Sequence, residues 1–211
     1  MLILPVILGT TLESLPADPY LSVDAETVGK WRPIVARALR GRGADRDLSP
    51  GRVFNIGIAW QGNRDHKGDR LRSFRLRHFA HLAALPGVRL VSLQKGYGTE
   101  QLAQLNGEFS VARLTRKWRR QDDGHDVLDT AAVMSQLDLV VTPDSSLAHL
   151  AGGMGTRVWV PLSTVGEWRW LIDREDSPWY PTLRLFRQTT FGDWDSVFQR
   201  MADALKQELM I

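Results

Sequence analysis

Cysteine is absent from the 211 residues. That excludes disulfides, thiolate zinc sites and cysteine nucleophiles, and it fits a reducing cytoplasm, which is the expected location. Long apolar runs are absent too, and none approaches the roughly 20 residues that a membrane-spanning helix needs. The apolar opening "MLILPVILG" contains Pro5 and lacks both a basic leader and a small-residue cleavage site. It reads as a buried strand rather than a signal peptide. No sign of charge dominates, since 27 Lys and Arg face 24 Asp and Glu for a net charge of +3. G-x-S-x-G, H-E-x-x-H, the phosphate-loop pattern ending in G-K-S/T, and G-x-G-x-x-G are all missing. The "GRG" at 41–43 follows no strand, so it is no dinucleotide fingerprint. There is no internal repeat and no low-complexity tract.

What is present is the composition of a soluble globular chain, 43% apolar and 24% charged. The basic residues cluster in "WRPIVARALRGRGADR", "NRDHKGDRLRSFRLR" and "RLTRKWRR". Such clusters are either solvated surface or a seat for an anion. Between the two anion classes, the near balance of charge and the lack of any nucleic-acid motif favour a phosphorylated small molecule over nucleic acid. Eight tryptophans is a high count; most are expected to pack and some to line a ligand.

The polar, Gly-rich stretch "RGRGADRDLSPGR" separates residues 1–40 from the rest. The first part is too small for its own core and should pack on something else. "AETVGKWRPIVARAL" reads as a helix that begins at or near Pro33, because proline is tolerated in a first turn and not in a helix interior. After Gly51, strands alternate with helices. "VFNIGIAW", "PGVRLVSLQ", "VARLT", "DLVVT", "TRVWVPL" and "LRLFRQ" read as strands. "LRHFAHLAAL", "GTEQLAQL", "HDVLDTAAVMSQL", "SSLAHLAGGMG" and "DWDSVFQRMADALKQEL" read as helices, with Asp126 and Asp193 or Asp195 as caps. That alternation predicts an α/β fold with a Rossmann-like parallel sheet and helices on both faces. Ligands in such sheets lie beyond the carboxyl ends of the strands. The loops after Trp60, Gln94, Thr142 and Leu162 are therefore the places to look for chemistry.

"TPDSSLAHLAGGMG", residues 142–155, joins a strand to a helix. A helix N-terminus carries unpaired N–H groups and about half a positive charge, which suits a phosphate. Ser145 and Ser146 add hydroxyls, Asp144 either caps the helix or holds a sugar hydroxyl, and His149 lies one turn on. The bland alternative is a capped helix with a polar histidine. "AWQGNRDHKGDRLRSF", residues 59–74, gathers Asn63, Lys67, Arg70 and Arg72 at another strand end, as a diphosphate site would need, or as an exposed connection would have. Gln94 offers a donor and an acceptor to the edge of a base. His125, Asp126 and Asp129 are closely spaced but read as caps, so no metal is expected.

"GIAWQGNRDHKGDRLRSF", "LVSLQKG", "DTAAVMSQLDLVVTPDSSLAHLAGGMG" and "EWRWLIDREDSPWYPTLRLFRQ" together resemble the C-terminal part of bacterial glycosyltransferase-family-9-like proteins. These are related to lipopolysaccharide heptosyltransferases and are often preceded by tetratricopeptide repeats. The match covers about residues 52–205, and "LGTTLESLPADPYL" resembles the end of that family's N-terminal domain and its linker. The resemblance implies the C-terminal half of a GT-B fold, with residues 1–50 a remnant of the N-terminal domain and linker and 51–211 a nucleotide-sugar-binding domain. It implies pyrophosphate contacts from Ser145 and Ser146, phosphate contacts from Lys67 with Arg70 or Arg72, Asp144 or His149 near sugar or ribose, and Gln94 by the base. The donor would be a nucleotide-diphosphate sugar, with no separate cofactor. Two features depart from the family. Residues 1–40 cannot supply the Rossmann domain that carries the acceptor site and usually the catalytic carboxylate, so the catalytic residue is not identified. Ser146 also stands where heptosyltransferases have glycine in their "DSG…H" pattern. The expectation is a donor-binding domain; the alternative is a non-catalytic interaction module that docks another chain, or a second copy, through residues 1–40.

Overall fold

The structure is a computed structural model that describes residues 7–40, 53–114, 118 and 126–210. Six parallel strands form one sheet: β1 Phe54–Ile58, β2 Val88–Ser92, β3 Val111–Ala112, β4 Leu139–Val141, β5 Val158–Leu162 and β6 Leu183–Arg187. Their spatial order is β3-β2-β1-β4-β5-β6, so the order reverses between β1 and β4. Ile56 lies opposite Leu139 and Ile58 opposite Val141 across that boundary. Loops leaving the carboxyl ends of β1 and β4 diverge to either side of it, which opens a crevice there.

Alternation along the strands divides the core. Ile56, Ile58, Leu139, Val141 and Trp159 face one layer, which contains Phe74, Phe79 and the helix α7, Trp194–Leu209. Val140, Val158, Val160, Leu162, Leu183 and Leu185 face the other. That second layer holds α1, Ala25–Leu39, with α5, Asp126–Met134, and α6, Ser146–Gly153. Between them in the chain are three single-turn helices, α2 Asp69–Arg72, α3 Ala80–Ala83 and α4 Gln101–Gln104, the second continuing a 3-10 turn at Leu76–Phe79. Helices therefore cover both faces, as the strand–helix alternation predicts.

Three expectations meet corrections or boundaries here. The helix α1 begins at Ala25 rather than at Pro33, which lies inside it. Asp24 accepts from the Thr27 N–H at 2.7 Å and fixes the start. Pro33 cannot donate to the preceding turn. Burial of Trp31 and Val35 against the sheet layer, and a 2.6 Å bond from Trp31 Nε1 to Asp129 on α5, outweigh that loss. The apolar opening is not a buried strand where it is described, since Ile7 and Leu8 are 68% and 74% exposed; residues 1–6 lie outside the described residues. The linker at 41–52, His125 and the side chain of Asp126 lie outside them as well. Residues 19–40 do pack on the sheet domain, as their size requires. Among the eight tryptophans, Trp60, Trp159 and Trp170 are fully buried, while Trp168 is 59% exposed.

Phe198 on α7 stacks edge-on against Phe74 and Phe79, with ring centroids 5.0 and 4.9 Å apart, and is fully buried. Phe198→Ala should cost about 3–5 kcal/mol of stability, read as a lower urea midpoint at unchanged m-value.

Candidate functional site

The loop after β1 is built around a buried carboxylate. Asp69 accepts from Gln61 Nε2 at 2.5 Å, Ser73 Oγ at 3.0 Å and Arg72 Nε at 3.3 Å. A buried charge is costly unless it is paired and hydrogen-bonded, and here it is both. Ser73 Oγ in turn accepts from the Gly62 N–H at 3.0 Å. Gly62 has no Cβ for a spatial reason, because one would run into Asp69 and lie 2.9 Å from Arg72 Nη2. The loop is thus closed around the guanidinium of Arg72.

That guanidinium crosses the crevice. Arg72 Nη1 donates to the Asp144 carbonyl at 2.7 Å, linking the β1 loop to the turn that opens α6. Arg72 is 21% exposed at the side chain, and its Nη2 has no hydrogen bond among the described residues. At the start of α6, Ser145 is the cap: its Oγ accepts from the Leu147 N–H at 3.3 Å and lies 3.1 Å from Thr142 Oγ1. Ser145 therefore takes the capping role that the sequence offered to Asp144. Ser146 is exposed at the mouth of the helix.

His149, one turn into α6, is half-buried. Its ring stacks on Trp170 with centroids 5.2 Å apart and planes 12° from parallel, and its Nδ1 is 3.0 Å from Tyr180 Oη. Burial holds the imidazole below its ordinary pKa, with the Asp144 charge opposing that shift. Burial likewise raises the pKa of Tyr180, with its bond to Tyr20 adding to the effect. Trp170 is carried on a 3-10 turn, Trp168–Trp170, which Arg187 fastens by donating to the Trp170 and Leu171 carbonyls at 2.6 Å each. Sequence reading missed Tyr180, Trp170 and the organising part of Asp69. The first two fall in "EWRWLIDREDSPWYPTLRLFRQ", one of the stretches that carry the resemblance, but no periodicity joins residues 21 and 31 positions apart to His149.

The other expected residues divide. Asn63, Lys67 and Arg70 are exposed on the β1 loop, beside the crevice. Asn63 Oδ1 accepts from the Asp65 N–H at 3.0 Å, while Lys67 and Arg70 have no side-chain partner among the described residues. Gln94 does a different job from meeting a base. It is 6% exposed. Its Oε1 accepts from the Trp60 and Gln61 N–H groups at 3.1 and 3.0 Å, and its Nε2 donates to the Tyr97 carbonyl at 2.9 Å. One side-chain amide thus satisfies the backbone of two strand-end loops. Lys95 beside it donates to Thr130 Oγ1 at 2.8 Å and lies 3.9 Å over the Trp118 ring; burial pushes its pKa down to about 8. No group of three or more His, Asp or Glu is placed to hold a metal ion among the described residues. No helix among them is long and apolar enough to cross a membrane.

The six-stranded parallel sheet, with a cation-bearing loop and a helix mouth facing each other at the strand-order reversal, belongs to the Rossmann-like class of α/β folds. No family model matches the chain. Among solved structures it is similar to the ADP-heptose lipopolysaccharide heptosyltransferase II of E. coli, with TM-score 0.54, 17% identity, and coverage of 94% of this chain and 56% of that one. It is also similar to a glycosyl transferase family 9 protein of Veillonella parvula, with TM-score 0.63, 13% identity, and coverage of 96% and 56%. The fold is thus the α/β fold of glycosyltransferase family 9 structures. Among curated proteins the chain is 29% identical over 203 residues to Protein FlbA of Caulobacter vibrioides. That match covers 94% of this chain and 31% of FlbA. The chain spans about a third of FlbA and little more than half of each solved structure.

Two measurements follow. Gln94→Leu strands the Trp60 and Gln61 N–H groups and should cost about 2–4 kcal/mol, read by urea denaturation. Lowering the His149 pKa on folding also makes stability fall with acid. Above about pH 6.5 the ring is neutral in both states; below that the unfolded chain takes the proton first, so stability drops. Tm should fall between pH 7.5 and 5.5, and less steeply in His149→Asn.

Proposed function

We propose that this chain is the donor-binding part of a GT-B glycosyltransferase, corresponding to its C-terminal half, and that it seats the diphosphate of a nucleotide sugar at the mouth of α6. The observation that carries the reading is the Arg72–Asp144 bond. It places a guanidinium, with one nitrogen free of hydrogen bonds among the described residues, against the N-terminus of a helix. The fold's likeness to glycosyltransferase family 9 structures adds support of a coarser kind.

The chemistry asked of the site is electrostatic. As the sugar's bond to the diphosphate breaks, negative charge grows on the leaving oxygens. Fixed donors aimed at those oxygens lower the barrier without a metal ion. The Ser146 amide and Arg72 supply fixed donors, and the two serine hydroxyls add others. Lys67 and Arg70 supply cations from the exposed rim, and Asn63 an amide. His149, neutral because it is buried, donates a hydrogen bond to phosphate or ribose without adding charge, and Asp144 accepts from a sugar or ribose hydroxyl. Gln94 holds the Trp60 and Tyr97 loops that form the far wall, where the base lies. The acceptor half and the catalytic base belong to a domain beyond this chain, such as one preceded by tetratricopeptide repeats. The chain alone therefore binds donor with little or no transfer.

Calorimetric titration with ADP, GDP, UDP and CDP tests this. At least one should bind. Arg72→Ala should weaken that binding by about ten-fold or more, the worth of a charge-assisted hydrogen bond, and Lys67→Ala by less because it is exposed. No heat with any of the four contradicts the reading.

A further inference from the structure

The small residues that end α6 invite the idea of a phosphate loop, but their neighbours give them another job. A Cβ on Gly152 would clash with the Tyr180 ring; on Gly153 it would lie 2.8 Å from Leu21 Cδ1 and 3.2 Å from Tyr20 Cζ; on Gly155, 2.6 Å from Pro19 Cγ. The Tyr20 and Leu21 N–H groups both donate to the Gly153 carbonyl at 2.9 Å. "GGMG" is therefore a groove that seats residues 19–21 and one face of Tyr180. That seating brings Tyr20 Oη to 3.3 Å from Tyr180 Oη, which is itself 3.0 Å from His149 Nδ1. A chain of three polar groups runs from the segment leading into the domain to the first turn of α6.

We propose that Tyr180 is a positioning residue: its hydroxyl donates to His149 Nδ1, holding the ring as the tautomer whose Nε2–H is the donor to an anionic ligand, and Tyr20 completes the chain by donating to Tyr180. The link to a ligand rests on the function proposed above; the tautomer does not. Each phenol has one proton to give. An imidazole lone pair is a stronger acceptor than a phenol oxygen, so the Tyr180 proton goes to Nδ1. The Tyr180 oxygen is then left to accept from Tyr20, which is 65% exposed and free to rotate its own hydroxyl. Stacking on Trp170 keeps the imidazole in the plane this bond requires. The charged groups around the ring are Asp144 on the preceding turn, and Glu167 and Arg169 on the 3-10 turn that carries Trp170. Arg169 is itself paired with Glu167 at 2.6 Å.

Long-range proton–nitrogen correlation spectra of the ¹⁵N-labelled 211-residue chain at pH 7.5 read the tautomer directly, with His149→Asn assigning the signals. The wild type should show Nε2 protonated and Nδ1 bare. Tyr180→Phe, which keeps the ring that fills the space above Gly152, should move His149 toward the mixed tautomers of a free imidazole and weaken binding of whichever of ADP, GDP, UDP and CDP binds the wild type about three- to ten-fold. Tyr20→Phe, which keeps the ring seated against Gly153 and removes only the hydroxyl, should shift the signals the same way by less. If Tyr180→Phe does not fold, Tyr20→Phe decides. A protonated Nδ1 in the wild type, or signals unmoved by both substitutions, overturns the proposal. If none of ADP, GDP, UDP and CDP binds the wild type, the function fails while the spectra still decide the positioning; if one binds and Tyr180→Phe leaves its affinity unchanged, the positioning of ligand fails.

Discussion

One hydrogen bond, from the Arg72 guanidinium to the Asp144 carbonyl, spans the place where the strand order reverses. The two loops it joins carry most of the residues proposed to meet a ligand. Parallel sheets of this kind always part at such a point, because the connections on its two sides cross opposite faces. What this chain adds is a cation held across the gap. The cation is fixed at its base by Asp69, which is buried and has two further donors, Gln61 and Ser73. It is fixed at its tip by a backbone oxygen of the α6 turn. An arginine held at two points loses less entropy on binding an anion than a free surface arginine does.

The strands and helices were legible because each carries its own period. β1, β4 and β5 alternate between two core layers, and α7 keeps one apolar stripe from Trp194 to Leu205. The helix α1 was misjudged at its start because proline's local penalty was weighed without Trp31 and Val35, whose burial is a tertiary fact. The candidate site was legible as two loops, since strand ends in an α/β alternation announce where ligands bind. Which residue within each loop does what was less so. Gln94 reads as a ligand donor by its chemistry, yet two buried backbone N–H groups claim its oxygen first. Tyr180 could not be tied to His149, because their contact passes through the packing of a ring on Gly152 rather than through any spacing in the chain.

The two ends of α6 are thus used differently. Its start has a serine cap with a long bond, an exposed second serine and a clamped arginine beside it. Its end is a close-packed groove of small residues that accepts the incoming segment at Pro19, Tyr20 and Leu21. The half-buried histidine between them touches both, through its place on the first turn and through Tyr180. A short helix of this kind joins the geometry of the site to the geometry of the chain that leads into the domain.

The central claim is that the amides opening α6, with Arg72 beside them, bind a diphosphate. Backbone amide NMR spectra during titrations with ADP, GDP, UDP and CDP, at least one of which should bind, test it most directly. The account predicts that the Ser146 and Leu147 amides and the Arg72 guanidinium signals shift together and saturate at one affinity. Saturable shifts confined to other parts of the surface, or no shift at these three groups, would contradict it.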